Sequence, residues 1–322
     1  MRPTMSPSAE QPAPPLQINA DFEQRAVIRP ADACWQPSPL PGVARWMLDR
    51  VGGEVARATS LVRYAPGSRF DRHVHGGGEE ILVLDGVFSD DSGNHAAGTY
   101  LRNPPGSAHA PLSREGCLLF VKLRQFAVDD RQPVRIATRA EPWRQGLVPG
   151  LSVMPLHEHD GISTALVRWA PDTRFHAHAH PGGEEILVLD GVFRDEFGAY
   201  PTGSWLRSPR WSLHAPFTGP EGALIYVKVG HLGAADQRCF TVHCWEFEFG
   251  GSLPRTDCVL PVSHSRHGRS SEGRRLRELV GQYSDSQELL GDAASVKLSQ
   301  VVPESAWRIE CGVQSRSREA AV

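Results

Sequence analysis

The chain has 322 residues, which leaves room for two domains that each bury a core of their own. A formal net charge of −3 provides no broad basic face for nucleic acid or an anionic membrane, and no apolar run approaches the length of a membrane span. Six cysteines at positions 34, 117, 239, 244, 258 and 311 form neither a CxxC pattern nor a dense framework, so reduced thiols in a cytoplasmic protein are expected.

The first fifteen residues, MRPTMSPSAEQPAPP, are Pro-rich and lack the apolar segment of a secretory signal. A disordered tail is expected over 1–15. Short apolar segments then alternate with turn chemistry. Ala58–Tyr64, Ile81–Phe88, Thr99–Arg102 and Leu118–Leu123 are separated by clusters such as Ala-Pro-Gly, Ser-Gly-Asn and Asn-Pro-Pro-Gly. This spacing predicts short strands in an antiparallel sandwich or barrel, and no long amphipathic helix is expected before residue 235.

The same sentence is then spoken again. Residues 63–111 align without a gap to residues 168–216, and 29 of the 49 positions are identical. The likeness extends outward in both directions. Trp35 to Gly42 is matched by Trp143 to Gly150, and Cys117–Lys122 by Ala223–Lys228. A period near a hundred residues marks a duplicated domain rather than a solenoid repeat. The halves are set at 16–125 and 126–235. Residues 236–322 have no counterpart in the first half and read as a poorly ordered extension, with one short helical stretch at Glu272–Val280.

Each copy carries a constellation of metal-binding side chains. In the first, His73-Val-His75 is followed four residues on by Glu79, and later by Pro104-Pro-Gly106 and His109. Two histidines at i and i+2 on a strand share a face. The glutamate can return to that face after the Gly-Gly-Gly turn, and the last histidine has to arrive from another strand. Imidazoles with one carboxylate suit Fe(II), Zn(II), Mn(II), Ni(II) or Co(II) without deciding among them.

Other polar residues read differently. Glu80 and Glu185 adjoin the constellation but alternate to the opposite face. His157 and His159 are expected in an exposed polar turn, and His95 and His176 lack partners in the opposite copy. Arg102 and Arg207, with Tyr100 and Trp205, recur at equivalent positions and suit either a pocket wall or packing with a salt bridge.

Both motifs resemble the two signature motifs of the cupin superfamily at every spacing. The phrases GGEEILVLDGVF and LRNPPGSAHAP are similar to the cupin domain of the anti-sigma factor ChrR and its relatives. The resemblance covers about residues 16–235. It implies an all-β chain of two tandem cupin (double-stranded β-helix, jelly-roll) barrels, with one divalent metal in each, Fe2+ or Zn2+, with Mn2+ as a further candidate. It assigns His73, His75, Glu79 and His109 as metal ligands in the first barrel and His178, His180, Glu184 and His214 in the second. The second copy departs at Asp172, Pro181 and Trp211, where the first has glycines. A tryptophan at the last of these is expected to narrow access to its metal.

Several small cupins with this ligand set are ferrous dioxygenases that cleave carbon–carbon bonds in diketones or hydroxyacetophenones. The resemblance therefore implies a metal-dependent dioxygenase acting on a small carbonyl or enol substrate. The alternatives are a zinc-binding sensor or regulator with a protein partner, as in ChrR, and a non-redox metal-dependent isomerase. The helical domain with which ChrR captures its sigma factor has no counterpart here, so a direct anti-sigma role is not expected. Tandem cupins often form an internal pseudo-dimer, so either a monomer or a homodimer is expected.

Overall fold

The computed structural model describes residues 16–53 and 55–232, together with the backbone of three further strands. Those strands lie in a separate unit, residues 240–322, and pair antiparallel in the order Cys258–Pro261, Ala306–Val313, Ala294–Val301. The Pro-rich tail and the Glu272–Val280 stretch lie outside the described residues.

The remainder of the described chain is β-structure, and its helical content is one 3-10 turn at Pro30–Asp32. Two antiparallel sheets carry the two sequence halves. In the first, the strand order is Leu16–Ile18, Val43–Gly52, Ala56–Tyr64, Cys117–Leu123, Glu79–Asp90, Thr99–Asn103, Val134–Ala137. In the second it is Arg144–Gln145, Leu151–His159, Ile162–Trp169, Phe217–Val229, Glu184–Asp195, Trp205–Ser208, Ala26–Ile28. All of these pairings are antiparallel.

The last strand of each sheet comes from the opposite half. Ala26–Ile28 pairs with Trp205–Arg207, and Val134–Ala137 pairs with Thr99–Arg102. Each module has thus lent an edge strand to the other.

The long strand Glu79–Asp90 shows why its sequence reads as a nearly continuous apolar run. Both faces of its first five residues are buried, as expected of a strand covered on both sides. Ile81 and Val83 join Phe88, Leu101 and Leu119 in the core of the first barrel. Leu82 points the other way, into a cluster with Trp46, Phe120, Leu187, Trp205 and Tyr226 that both modules build together. Ile186 and Val188 line the second barrel's own core, while Leu187 faces the shared one. One sequence period of two therefore serves three cores.

Polar residues sit within this shared layer, and each charge has a partner. Glu80 accepts from Lys228 (2.5 Å) and Tyr226 of the second module and from Arg102 (3.2 Å) of its own. Glu185 accepts from Lys122 (2.5 Å) of the first module, and from Trp205 Nε1 (2.9 Å) and His231 (3.1 Å). Arg207 donates to Asp49 (3.0 Å), and Arg102 to Asp130. Burial works to raise the Glu80 carboxyl, but Lys228, Arg102 and Lys122 outweigh it and hold the group at about 2. Buried charges persist only when paired in this way.

This layer settles several sequence expectations. Glu80 and Glu185 do face away from the histidines, and Arg102 and Arg207 serve packing and ion pairing between the modules. The exposed turn expected at His157 and His159 is not found. Both lie on the strand Leu151–His159. His157 is buried against Asp130 (2.9 Å), and His159 faces Asp129 (3.1 Å).

Candidate metal centre

The site in the first module is built from a two-stranded ribbon at the barrel mouth. His73–Val74 pairs with Ala108–His109, and the register sets His73 directly opposite His109. Two backbone bonds extend the ribbon past the named strands: His75 N–H donates to Ser107 O (2.9 Å), and Gly106 N–H to His75 O (2.8 Å). The i, i+2 pair and the histidine from a second strand thus converge. Their ring centroids lie 4.7–5.1 Å apart.

Glu79 arrives after a sharp turn at Gly78, whose φ is +78°; a Cβ there would sit 2.4 Å from the Phe126 ring. The turn brings Glu79 Oε2 to 3.4 Å from both His75 Nε2 and His109 Nε2. The second module repeats the arrangement. His178 stands opposite His214, His180 Nε2 lies 3.0 Å from His214 Nε2, and Glu184 is 3.4 and 3.6 Å from His180 and His214.

The donor set fits a metal ion. In each module one nitrogen from each of the three histidines lies within 4.8 Å of the others. His75 Nε2 and His109 Nε2 are buried without a hydrogen-bond partner. Lone pairs converging on a carboxylate in a buried pocket repel one another unless a cation is among them. Two ligands about 2.1 Å from one metal, at angles of 90–110°, are about 2.9–3.4 Å apart, close to the separations seen here. His73 Nδ1 and His178 Nδ1 face the carbonyl oxygens of Asp71 (2.9 Å) and His176 (3.0 Å). That contact fixes a tautomer with Nε2 free for the metal.

Burial favours the neutral imidazole at three of the six histidines. Burial, with His180 and His214 nearby, pushes His178 down to about 4. Burial also lowers His75 and His180. His214 is raised in spite of burial, chiefly by Glu184 and then by Asp195. Glu184 is held below its usual range by His180, His214 and His178, although burial opposes this.

Behind these side chains stand residues that sequence spacing does not single out. Asp90 Oδ2 faces His109 Nδ1 at 3.0 Å, and its other oxygen faces His95 Nε2 at 3.1 Å. Burial raises the Asp90 carboxyl, but bonds from His109, His95 and Ser92 prevail and hold it far below the carboxylate range. In the second module Asp195 lies 3.9 Å from His214 Nδ1 and accepts from Tyr200 (2.8 Å), which stands in the place of His95. Asn103 donates to Glu79 Oε2 (3.0 Å), whereas Ser208 occupies that position in the other copy. The repeated aspartate of LDGVFSD and LDGVFRD was the available signal.

Inside the barrels the buried Tyr64 and Trp169 occupy equivalent positions. Burial and then Glu79 raise the Tyr64 phenol far above its usual range. Trp169 packs edge-on against Phe193 and Phe175, and its buried Nε1–H has no partner among the described residues. The two pockets therefore differ in the polar group on one wall.

Two of the second copy's three departures from glycine keep the glycine backbone. Asp172 (φ 53°) and Trp211 (φ 61°) adopt the left-handed conformation of Gly67 and Gly106, at about 1–2 kcal/mol each. Trp211 N–H still donates to His180 O (2.8 Å), as Gly106 does to His75.

A family model described as the ChrR cupin-like domain matches residues 23–127 and again 131–233. No curated protein matches the sequence. Among solved structures, a Nostoc punctiforme protein named as a candidate dioxygenase superposes with a TM-score of 0.54 at 16% identity, covering 64% of this chain and 82% of its own. Protein Ylba from E. coli superposes at 0.52 and 17% identity, covering 68% and 95%. A Pseudomonas aeruginosa protein named as a candidate glyoxylate-induced protein superposes at 0.54 and 14%, covering 73% and 96%. At these identities the likeness is one of fold.

Proposed function

The chain belongs to the ChrR cupin-like family, with that domain present twice in tandem, and from this premise we propose that it is a metal(II)-dependent bicupin dioxygenase acting on a small carbonyl or enol substrate. The observation that carries the reading is the donor cluster in each module, with imidazole nitrogens and one carboxylate converging in a half-closed barrel mouth. His73, His75, Glu79 and His109 would hold one ion; His178, His180, Glu184 and His214 would hold the other. On this reading the working units are the halves 16–125 and 126–235.

Ferrous iron or manganese would supply Lewis acidity and a redox capacity toward dioxygen, and zinc, which has no redox chemistry, Lewis acidity alone. The protein's own part is to set charge and access. Three neutral imidazoles and one carboxylate leave a dication with one unit of positive charge, which favours an anionic enolate over its neutral ketone. Four protein ligands leave positions for substrate, as open catalytic sites do. Buried aromatic walls, Tyr64 with Phe88 and Trp169 with Phe193, restrict water around a small apolar substrate. The Nostoc protein's name gives the same reaction class some support.

A zinc-binding sensor is the second reading, supported by the likeness of both modules to the ChrR cupin domain. Elemental analysis of protein purified anaerobically separates the two. Close to two irons per chain, with oxygen uptake on diketones or hydroxyaryl ketones, is expected. Two tightly held zincs and no oxygen uptake would overturn the dioxygenase and leave the sensor or an isomerase.

A further inference from the structure

The exchanged strands bring more than backbone pairing, because each delivers an arginine to the back of the opposite metal centre. Arg25 directly precedes the strand Ala26–Ile28. Its Nη2 donates to Asp195 Oδ2 (2.6 Å) and to Tyr200 Oη (2.9 Å). Its guanidinium also lies over the rings of Phe197 (4.5 Å) and Tyr200 (5.5 Å). Asp195 is buried and is the carboxylate nearest His214 Nδ1.

Arg135 sits within the strand Val134–Ala137, opposite Leu101 of the first module. It donates to Asn103 Oδ1 (2.5 Å) and to the carbonyl oxygens of Arg102 (2.9 Å) and Val134 (2.7 Å), with a longer bond to Ser92 Oγ (3.4 Å). Asn103 in turn holds Glu79 Oε2. Arg135, Asp90, Asn103 and His109 line one small cleft behind the site.

The two arginines are not equivalent in sequence. The register that aligns Ala26 with Val134 places Pro133 opposite Arg25 and Val27 opposite Arg135. Each nevertheless ends on a group beside a candidate ligand: Asn103 bonds Glu79, and Asp195 lies 3.9 Å from His214 Nδ1. We propose that Arg25 and Arg135 are cross-module positioning residues: each is supplied by one half of the chain, and each fixes the ligand geometry of the other half's metal centre, Arg25 through Asp195 to His214 and Arg135 through Asn103 to Glu79. Neither half holds a finished centre without the other. Groups behind the ligands set ring orientation and ligand basicity, and their loss typically weakens metal binding by about 10–100-fold.

The inference rests on the ligand assignment above, and its test separates the two. Nitrogen-15 spectra of the histidine rings are recorded on full-length, chelator-stripped protein. R25A is expected to move the signals of His178, His180 and His214 and to leave those of His73, His75 and His109 in place. R135A is expected to do the reverse, through Glu79. R25K and R135K should restore much of the unvaried pattern, since a lysine can replace one charged bond. Signals that stay put in both alanine variants, or that move equally in both modules, would overturn the proposal.

Cobalt titration of the same samples should show one of two equivalents weakened about tenfold in each alanine variant. Two unaltered equivalents would also overturn it. An unvaried protein that takes up no cobalt would defeat the metal reading instead, and the ring spectra would still decide the arginines.

Discussion

At the scale of single residues, the proposed metal sites rest on a few buried ring nitrogens with few other partners. His75 Nε2 is buried, lacks a hydrogen-bond partner and lies 3.4 Å from Glu79. His180 Nε2 has only another imidazole at 3.0 Å and Glu184 at 3.4 Å. Replacing His75 or His180 with alanine should each remove about one metal per chain, read by elemental analysis. Unchanged stoichiometry in both variants would sink the assignment. That each of these histidine pairs shares a strand face was legible from i, i+2 spacing, and their assignment as ligands followed from the resemblance to the cupin motifs. Asp90, Asn103, Arg25 and Arg135 were not legible in either way. Their contacts depend on which strands pair and in what register, and no local periodicity encodes that choice. His157 was misread for the same reason: Leu-His-Glu-His looks like a polar turn until Asp130 is brought against it.

At the scale of elements, a short ribbon and one tight turn do most of the positioning. The ribbon sets His73 against His109, and the turn at Gly78 returns the chain so that Glu79 meets them. Gly78 has a left-handed φ and no room for a methyl group beside Phe126. Gly78→Ala should therefore cost about 1–3 kcal/mol of stability and loosen the first module's metal selectively. Urea denaturation and metal titration check both halves of this expectation. Equal loosening of both metals would show that the strain spreads beyond the turn. The strands of each barrel were foreseeable from short apolar runs separated by turn residues. That Leu82 and Leu187 face the same shared core was not, because a strand buried on both faces does not announce what covers either one.

At the scale of the molecule, the two modules share one apolar layer and one buried ion-pair network. His231 belongs to that network, with a buried side chain bonded to Glu185. Burial is the leading cause that pushes it down to about 4. An unfolded histidine titrates near 6.5, so the unfolded chain takes up this proton first as the pH falls. The contribution is complete above about pH 6.5 and is lost by about pH 4, a span worth about 3 kcal/mol. His231→Gln should flatten the fall in unfolding free energy across that window, as measured by urea titrations at pH 5 and pH 7. Parallel slopes in the two proteins would refute it.

The exchange of edge strands also has a consequence in time. Ala26–Ile28 leaves the ribosome early, yet its sheet neighbour, Trp205–Ser208, follows roughly 180 residues later, about 10–35 s at ordinary rates of synthesis. Val134–Ala137, by contrast, meets Thr99–Asn103 within some 30 residues. The first barrel can therefore close while the ribosome is still at work, whereas one strand of the second is made before any other part of it and waits for the rest. The nascent chain must keep that first strand unpaired, and out of wrong partnerships, until nearly all of both modules has been made.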